Sequence, residues 1–283
     1  MRIKLLLIIL SCCISPQLLF ANGKKVTKIV LDAGHGGQDG GARGNFSNEK
    51  DLALAVTMKL GKMIAENMKD VEVIYTRTTD VYPSLVTRHE IANKAGADLF
   101  VSIHINSTAG TKTRVRAGYR TIKGKDGKTY RRPRYRTVYN RNRNTNAAGT
   151  MCLVLGLHRS SQKEDAIGEY GDNVVDEPGL LNPDDPQTAI IISQYTQAFL
   201  NRSVSVATKI QNNFIAQGRG DYGVKQQGLE VLAGSAMPGV LVEIGFVNNP
   251  EEETYMNSVK GQNEIVDAIF RGIREYKKEV EGN

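Results

Sequence analysis

Thr27-Lys28-Ile29-Val30-Leu31 runs into Asp32-Ala33-Gly34-His35-Gly36-Gly37, an apolar run closed by a glycine-rich turn that holds one histidine. The run reads as a buried strand. Glycine lets the turn take backbone angles closed to other residues and lets a bulky group approach. A side chain at the C-terminal end of a strand sits where open α/β sheets place their ligands. Such a turn can equally cradle a phosphate. The chain has only four histidines, and a second, His104, also closes an apolar run, Leu99-Phe100-Val101-Ser102-Ile103. Two histidines at two strand ends point to a shared metal; two ordinary polar residues at strand ends are the plainer reading.

Outward from this stretch the pattern alternates strand and helix. Residues 49–67 carry apolar side chains at helical spacing in Leu52, Val56, Leu60, Met63 and Ile64. Residues 71–76 read as a second strand, 85–95 as a helix stopped by Gly96, 99–105 as a third strand and 151–157 as a fourth. A long helix is expected over 188–216, ending near Gly218, then a strongly apolar fifth strand over 240–244 and a closing amphipathic helix over 259–280. Leu229-Glu230-Val231-Leu232 reads as a further short strand. The alternation predicts one α/β domain over residues 22–283, with a mostly parallel, twisted sheet covered by helices on both faces.

Two insertions interrupt the pattern. Residues 110–146 are basic, carry Tyr119, Tyr130, Tyr135 and Tyr139, and contain the turn signal Lys125-Asp126-Gly127-Lys128. A twisted β-hairpin is expected there. Residues 161–187 are acidic and hold Pro178, Pro183 and Pro186. The two opposite charges could simply pair with each other. The net charge of +7 belongs to the basic insertion: residues 112–143 alone carry +12, the start of the chain +2, and the remainder −7.

Residues 1–21 read as a secretory signal, with Arg2 and Lys4 ahead of an apolar core and a cleavage site after Ala21. Ile9-Leu10-Ser11-Cys12 is also compatible with a bacterial lipoprotein site. Nothing later approaches a membrane span. A soluble, exported protein of the periplasm or cell envelope is the expectation. Cleavage after Ala21 leaves Cys152 as the one cysteine, a buried core thiol with no disulfide partner.

Catalytic zinc takes three protein ligands and keeps a fourth position open. His35 and His104 offer two. Glu49, fourteen residues after His35, opens the first long helix and could return to the same sheet edge as the third. It reads equally well as a helix-start carboxylate favoured by the macrodipole. Glu243 interrupts the apolar strand Val240-Leu241-Val242-Glu243-Ile244. A lone carboxylate there costs several kcal/mol unless it is paired or faces a cleft. It is either a strand-end residue held by backbone amides or a general base.

With these residues in place, the chain resembles the zinc-dependent N-acetylmuramoyl-L-alanine amidases of the amidase 3 family. The resemblance rests on Asp32 to Gly41, then Glu49, then Ser102-Ile103-His104-Ile105-Asn106, then Val242-Glu243-Ile244-Gly245-Phe246 with Asn249-Pro250. It covers residues 28–276; the family often has Pro where this chain has Ala33. It implies one catalytic Zn2+ held by His35, Glu49 and His104, with Glu243 as the catalytic glutamate. It also implies hydrolysis of the amide between the lactyl group of N-acetylmuramic acid and the L-alanine of the peptidoglycan stem peptide. A zinc peptidase or deacetylase on the same scaffold, or a non-catalytic wall-binding protein, are the alternatives.

The expected partner is peptidoglycan, not nucleic acid, and the protein is expected to be a monomer without a transmembrane segment. Related division amidases can carry a helix that blocks the zinc and is displaced by an activator. Glu164, Asp165 and Glu169 are the candidates for such a plug here. Asp32 is expected to orient His35, and Arg77, Asp80 and Arg88 to form an ion-pair network. Asn106 and His158 are weaker candidates for substrate contact. His89 is read as an ordinary helix residue, and the basic, tyrosine-bearing insertion as suited to anionic wall or outer-membrane groups.

Overall fold

The first strand, β1 (Lys28–Ala33), is buried along its whole length after Lys28. In the structure, a computed structural model, residues 25–282 are described apart from 141, 143, 175–178 and 183–184. The expected leader 1–21 and Cys12 lie outside the described residues.

β1 leads into α1 (Glu49–Asn67), β2 (Glu72–Tyr75), α2 (Leu85–Ala95) and β3 (Leu99–Asn106). Strands β4 (Thr111–Lys123) and β5 (Thr129–Asn140) follow, then β6 (Thr150–Leu155), a 3-10 turn (Leu157–Arg159) and α3 (Ser160–Val174). The chain closes with α4 (Thr188–Ala216), β7 (Asp221–Gln227), α5 (Glu230–Ala233), β8 (Gly239–Phe246), α6 (Pro250–Asn257) and α7 (Val259–Glu281). The six-stranded sheet has the order β2–β1–β3–β8–β6–β7. Its first four strands are parallel, β6 joins β8 antiparallel, and β7 joins β6 parallel. This is the α/β domain with a mostly parallel sheet that the alternation predicted. The chain goes from β1 to β2 on one side and from β2 back past β1 to β3 on the other, so a switch point lies between β1 and β3.

Alternate residues of each strand feed two cores. Ile29, Leu31, Val101, Ile103 and Val242 pack against Leu52, Val56 and Leu60 of α1 and Ile265, Ile269 and Ile273 of α7. Val30, Phe100 and Leu241 face the other way, toward Ala92 of α2, Ile167 of α3 and Val231 and Leu232 of α5. Each such side chain contributes about 1.5–3 kcal/mol on burial, and a one-residue slip would move all of them to the wrong face. Register is thereby fixed, and with it the positions of the polar residues at the strand ends. Cys152 is buried and free, as its apolar neighbours implied.

Helix ends follow local chemistry. Ser84 caps α2 by accepting from Thr87 N, and Gly96 closes it with φ 60°. Asn249 caps α6, accepting from the backbone N–H groups of Glu251 and Glu252 in its first turn, with Pro250 at the start.

One expected strand is misplaced. Leu229-Glu230-Val231-Leu232 is not a strand: Glu230–Ala233 is a short helix that buries Val231, Leu232 and Ala233. The strand is β7, Asp-Tyr-Gly-Val-Lys-Gln-Gln, which lies at the sheet edge and is largely exposed. A polar edge strand has no apolar pattern to announce it, whereas four apolar-rich residues fit one helical turn as readily as a strand. The basic insertion does form a hairpin, β4 paired antiparallel with β5. Among the described residues no ion pair joins it to the acidic segment. No helix of the described residues is long and apolar enough to cross a membrane.

Candidate metal centre

His35 follows β1 at the switch point, and it is the one non-glycine residue with positive φ, 58°, among the described residues. Such a conformation is strained outside glycine and needs surrounding support. The support is visible: Gly36 and Asp39 exchange backbone hydrogen bonds, and Arg88 Nη2 donates to His35 O at 2.6 Å. Asp39 Oδ2 lies 2.8 Å from His35 Nδ1. That contact fixes the ring and leaves Nε2 turned toward Glu49 Oε1, 3.2 Å away.

Glu49 stands at the first position of α1 and is buried. Its Oε2 accepts from Ala42 N at 2.7 Å, and its Oε1 accepts from Ile105 N at 2.9 Å. His104 Nδ1 lies 2.9 Å from the same Oε1. The plain helix-start reading of Glu49 therefore falls short: its carboxylate points back across the strand ends to both imidazoles. One ligand atom from each of His35, Glu49 and His104 lies within 4.8 Å of the others. Among the described residues this is the one such cluster.

The electrostatics follow from this packing. Burial alone would lower the proton affinity of His35, but hydrogen bonds and charge from Glu49 and Asp39 outweigh it and lift the pKa to about 9. Burial alone would raise Glu49, but its bonds to His104 and His35 hold it far below the ordinary carboxylate range. Glu49 is thus an anion facing two imidazoles. A cation is the group such a pocket favours, and two nitrogens with one carboxylate oxygen form the donor set zinc prefers. Space for it is kept by glycine. A Cβ on Gly34 would lie 2.5 Å from His104 Nε2, and one on Gly41 (φ 66°) would lie 2.6 Å from Glu49 Oε2.

Glu243 sits on β8 in register with His104 on β3, so the two side chains rise from the same face of neighbouring parallel strands. Its Oε2 is buried without a hydrogen-bond partner among the described residues. Burial pushes its carboxyl up to about 7; His104 and His35 pull the other way, and Glu49 adds to the rise. Of the two readings of Glu243, a strand-end carboxylate held by backbone amides is not what its unpartnered Oε2 shows.

A family profile described as N-acetylmuramoyl-L-alanine amidase, amidase 3, matches residues 29–275. The chain belongs to this amidase family. It is 30% identical over 267 residues to the N-acetylmuramoyl-L-alanine amidase AmiA of Escherichia coli K12, covering 92% of this chain and 79% of the relative. It is 29% identical over 265 residues to AmiC of Escherichia coli O6:H1, covering 92% of this chain but 55% of that relative. The match to the endolysin of Bacillus phage SPP1 likewise spans 66% of the relative. Among solved structures, the N-acetylmuramoyl-L-alanine amidase of Clostridium difficile 630 superposes with a TM-score of 0.58 at 25% identity, over 89% of this chain and 97% of that one.

Within this amidase fold, other expected contacts are rearranged. Asp32 does not orient His35. Its carboxylate accepts from Thr76 Oγ1, Ser102 Oγ and Arg88 Nη1, each at 2.6 Å, and Asp39 takes the expected place beside the imidazole. Asp32 is a buried strand residue facing the second core, so its side chain cannot round the turn to the ring. The network of Arg77, Asp80 and Arg88 is also split. Arg88 pairs with Asp32 and Asp80 with Lys50 at 2.6 Å, while Arg77 donates to the carbonyls of Ala33, Gly34, Lys50 and Thr79. Asn106 Oδ1 accepts from Ser107 N at the end of β3.

His89, His158 and the acidic residues stand apart from the cluster. His158 lies in the 3-10 turn, beside Gly156 and Gly228. Asp165 and Glu169, on α3, line a cleft with His89, Glu90 and Glu230 instead of reaching the imidazoles. Glu164, also on α3, is not among the clustered ligands either. The plug expected of these three acids is therefore not formed by them here: Ile167 and Ala166 anchor their helix in the second core.

The sequence reading missed Glu253. It accepts from Asn45 N, Phe46 N, Ser47 N and Ser47 Oγ, fastening the loop that delivers Glu49. Nothing in sequence separates it from Glu251 and Glu252 beside it.

Proposed function

We propose that the chain is an exported, zinc-dependent N-acetylmuramoyl-L-alanine amidase that cuts peptidoglycan between the lactyl group of N-acetylmuramic acid and L-alanine. One observation carries the reading: a two-histidine, one-glutamate cluster stands beside Glu243, in register with His104 on the next strand and with its Oε2 buried and unpartnered. His35, Glu49 and His104 would hold the ion, and zinc there would supply Lewis acidity toward the attacking water and the scissile carbonyl.

The remaining work falls to this chain's own groups. Glu243 takes a proton as the water oxygen bonds to the lactyl carbonyl carbon, and its raised proton affinity suits a base near neutral pH. The same carboxyl then delivers the proton to the alanine nitrogen as the C–N bond breaks, leaving a lactyl carboxylate and a free stem peptide. Asp39, on the far nitrogen of His35, keeps that imidazole turned inward.

Paired measurements of metal content and turnover test these roles. Glu243→Gln is expected to retain zinc and lose turnover by about 10²–10⁴-fold, the range for removing a general acid–base group. His35→Ala and His104→Ala are expected to lose both zinc and turnover. Wild-type turnover in Glu243→Gln would remove the base from the scheme, and full zinc occupancy in both histidine variants would remove the ligands.

A further inference from the structure

The hairpin of β4 and β5 is a ribbon separate from the main sheet. Thirteen residues of β4 give it a reach of roughly 40 Å. Its pairing sorts the side chains. Lys112, Arg114 and Arg116 of β4 share one face with Tyr135 and Tyr139 of β5. Between Arg116 and Tyr119 the register shifts, with Gly118 at φ 108°, and the extra residue reverses the alternation of β4 from there on. Tyr119 and Lys123 therefore join the face of Arg116, beside Arg131 of β5. Without the shift, Arg120 and Ile122 would occupy those places.

The result is one face on which five cations and three tyrosines stand together. Arg114 lies 4.5 Å from the Tyr135 ring centre, and Arg116 and Arg131 lie 5.4 and 4.9 Å from that of Tyr119. Beside these guanidinium groups the tyrosines stay about half open to solvent: Tyr119, Tyr135 and Tyr139 are 51%, 46% and 53% exposed. The opposite face holds the partly covered Val115, Ile122 and Val138 among its arginines. Asp126, the one acid of the insertion, is in the turn and is engaged by Tyr130 Oη and Lys128 N. The ribbon is also continuous with the metal centre. It begins four residues after β3, which carries His104, and Tyr139 at its root lines a groove with Gly41, Ala42, Arg43, Ser107 and Thr108. Gly41 and Ala42 are the residues that pack on and hydrogen-bond to Glu49.

We propose that this tyrosine–cation face is an arm that binds the anionic, peptide-bearing glycan of peptidoglycan and feeds it along the groove to the metal centre. The proposal deepens the amidase reading and rests on it. Sugar rings offer flat apolar faces to the tyrosines, and stem-peptide carboxylates pair with guanidinium groups. Each exposed ion pair contributes little by itself. A polymer that meets several at once gains by multivalency, so the arm engages intact wall and has little hold on a small fragment.

The test uses full-length protein with the Glu243→Gln substitution, so that binding is read without cleavage. Its cosedimentation with purified peptidoglycan sacculi is compared with that of the same protein carrying Arg114→Gln, Arg116→Gln, Arg131→Gln, Tyr119→Ser and Tyr135→Ser. The arm variant is expected to bind sacculi at least roughly tenfold more weakly, with an unchanged circular dichroism spectrum. With Glu243 restored, it is expected to lose hydrolysis of sacculi far more than hydrolysis of a soluble disaccharide-peptide. A folded arm variant that binds sacculi as the parent does would overturn the proposal. So would tighter parental binding to phosphatidylglycerol vesicles or duplex DNA than to sacculi. Failure of the unsubstituted enzyme to cleave the soluble fragment would contradict the amidase reading instead, because sacculus binding is scored in the Glu243→Gln background.

Discussion

His35 sits in a left-handed conformation, and its ring is held from behind by Asp39 at 2.8 Å. A carboxylate on the far nitrogen of a metal-binding imidazole fixes its tautomer and orientation, and losing one typically weakens metal binding about 10–100-fold. Asp39→Ala is therefore expected to weaken zinc binding by about that factor in a chelator-competition titration, with turnover recovering at saturating zinc. Unchanged affinity would show that the glycine turn alone orients the ring. Asp32, by contrast, reaches His35 only through the backbone, by way of Arg88. Arg88 and Asp32 are both essentially inaccessible to solvent. Removing one member of such a pair strands the other charge, so Asp32→Ala should act on folding by about 3–5 kcal/mol. Thermal melts of the metal-free protein measure this, and a variant as stable as its parent would contradict it.

At the scale of elements, the centre depends on how α1 is delivered to the strand ends. Glu253 of α6 holds residues 45–47, just ahead of Glu49, with three hydrogen bonds from their backbone N–H groups and a fourth from Ser47 Oγ. Glu253→Ala leaves those donors without their acceptor and is expected to cost about 1–3 kcal/mol, together with weaker zinc binding. Denaturant midpoints and metal titration read the two effects; loss of stability with unaltered metal affinity would separate the loop from the site. This element also marks the limit of what could be read from the chain. β1, β3 and β8 were legible because buried parallel strands are continuous apolar runs, and the histidines and Glu243 stand out against them. Glu49 was ambiguous because a helix-start carboxylate and a metal ligand look alike until the intervening loop is folded. β7 was illegible for the opposite reason, since an exposed edge strand need not be apolar. Asp39 and Glu253 act through geometry that no spacing rule encodes.

For the whole molecule, α3 is tied to the segment that feeds β8 by a buried lysine. Lys163 Nζ donates to the carbonyls of Ser235 and Met237 at 2.8 Å each. Burial pushes its pKa from 10.5 down to about 7. Above pH 7 the folded chain tends to release this proton while the unfolded chain keeps it, so unfolding takes up a proton. Stability from this group therefore rises with pH between about 7 and 10.5 and is lost as pH falls toward 7. Lys163→Met should remove that rise, so its urea midpoint should climb less than the parent's from pH 7.5 to 9.5. Parallel slopes would contradict the assignment. Beyond stability, the layout joins a neutral-to-acidic catalytic body to one strongly basic ribbon rooted at the active edge of the sheet. The basic net charge is thus a property of one ribbon and not of the domain that carries the metal cluster.

The proposed cut at the sugar–peptide junction is the reaction to be tested. The decisive measurement is mass spectrometry of muropeptides digested by the full-length protein, before chelation, after it, and after zinc is restored. Intact stem peptides with a free L-alanine amine should appear alongside glycan bearing free lactyl carboxylates, vanish with the chelator and return with zinc. Shortened stem peptides, deacetylated sugars or chelator-insensitive release would contradict a zinc amidase built on His35, Glu49, His104 and Glu243.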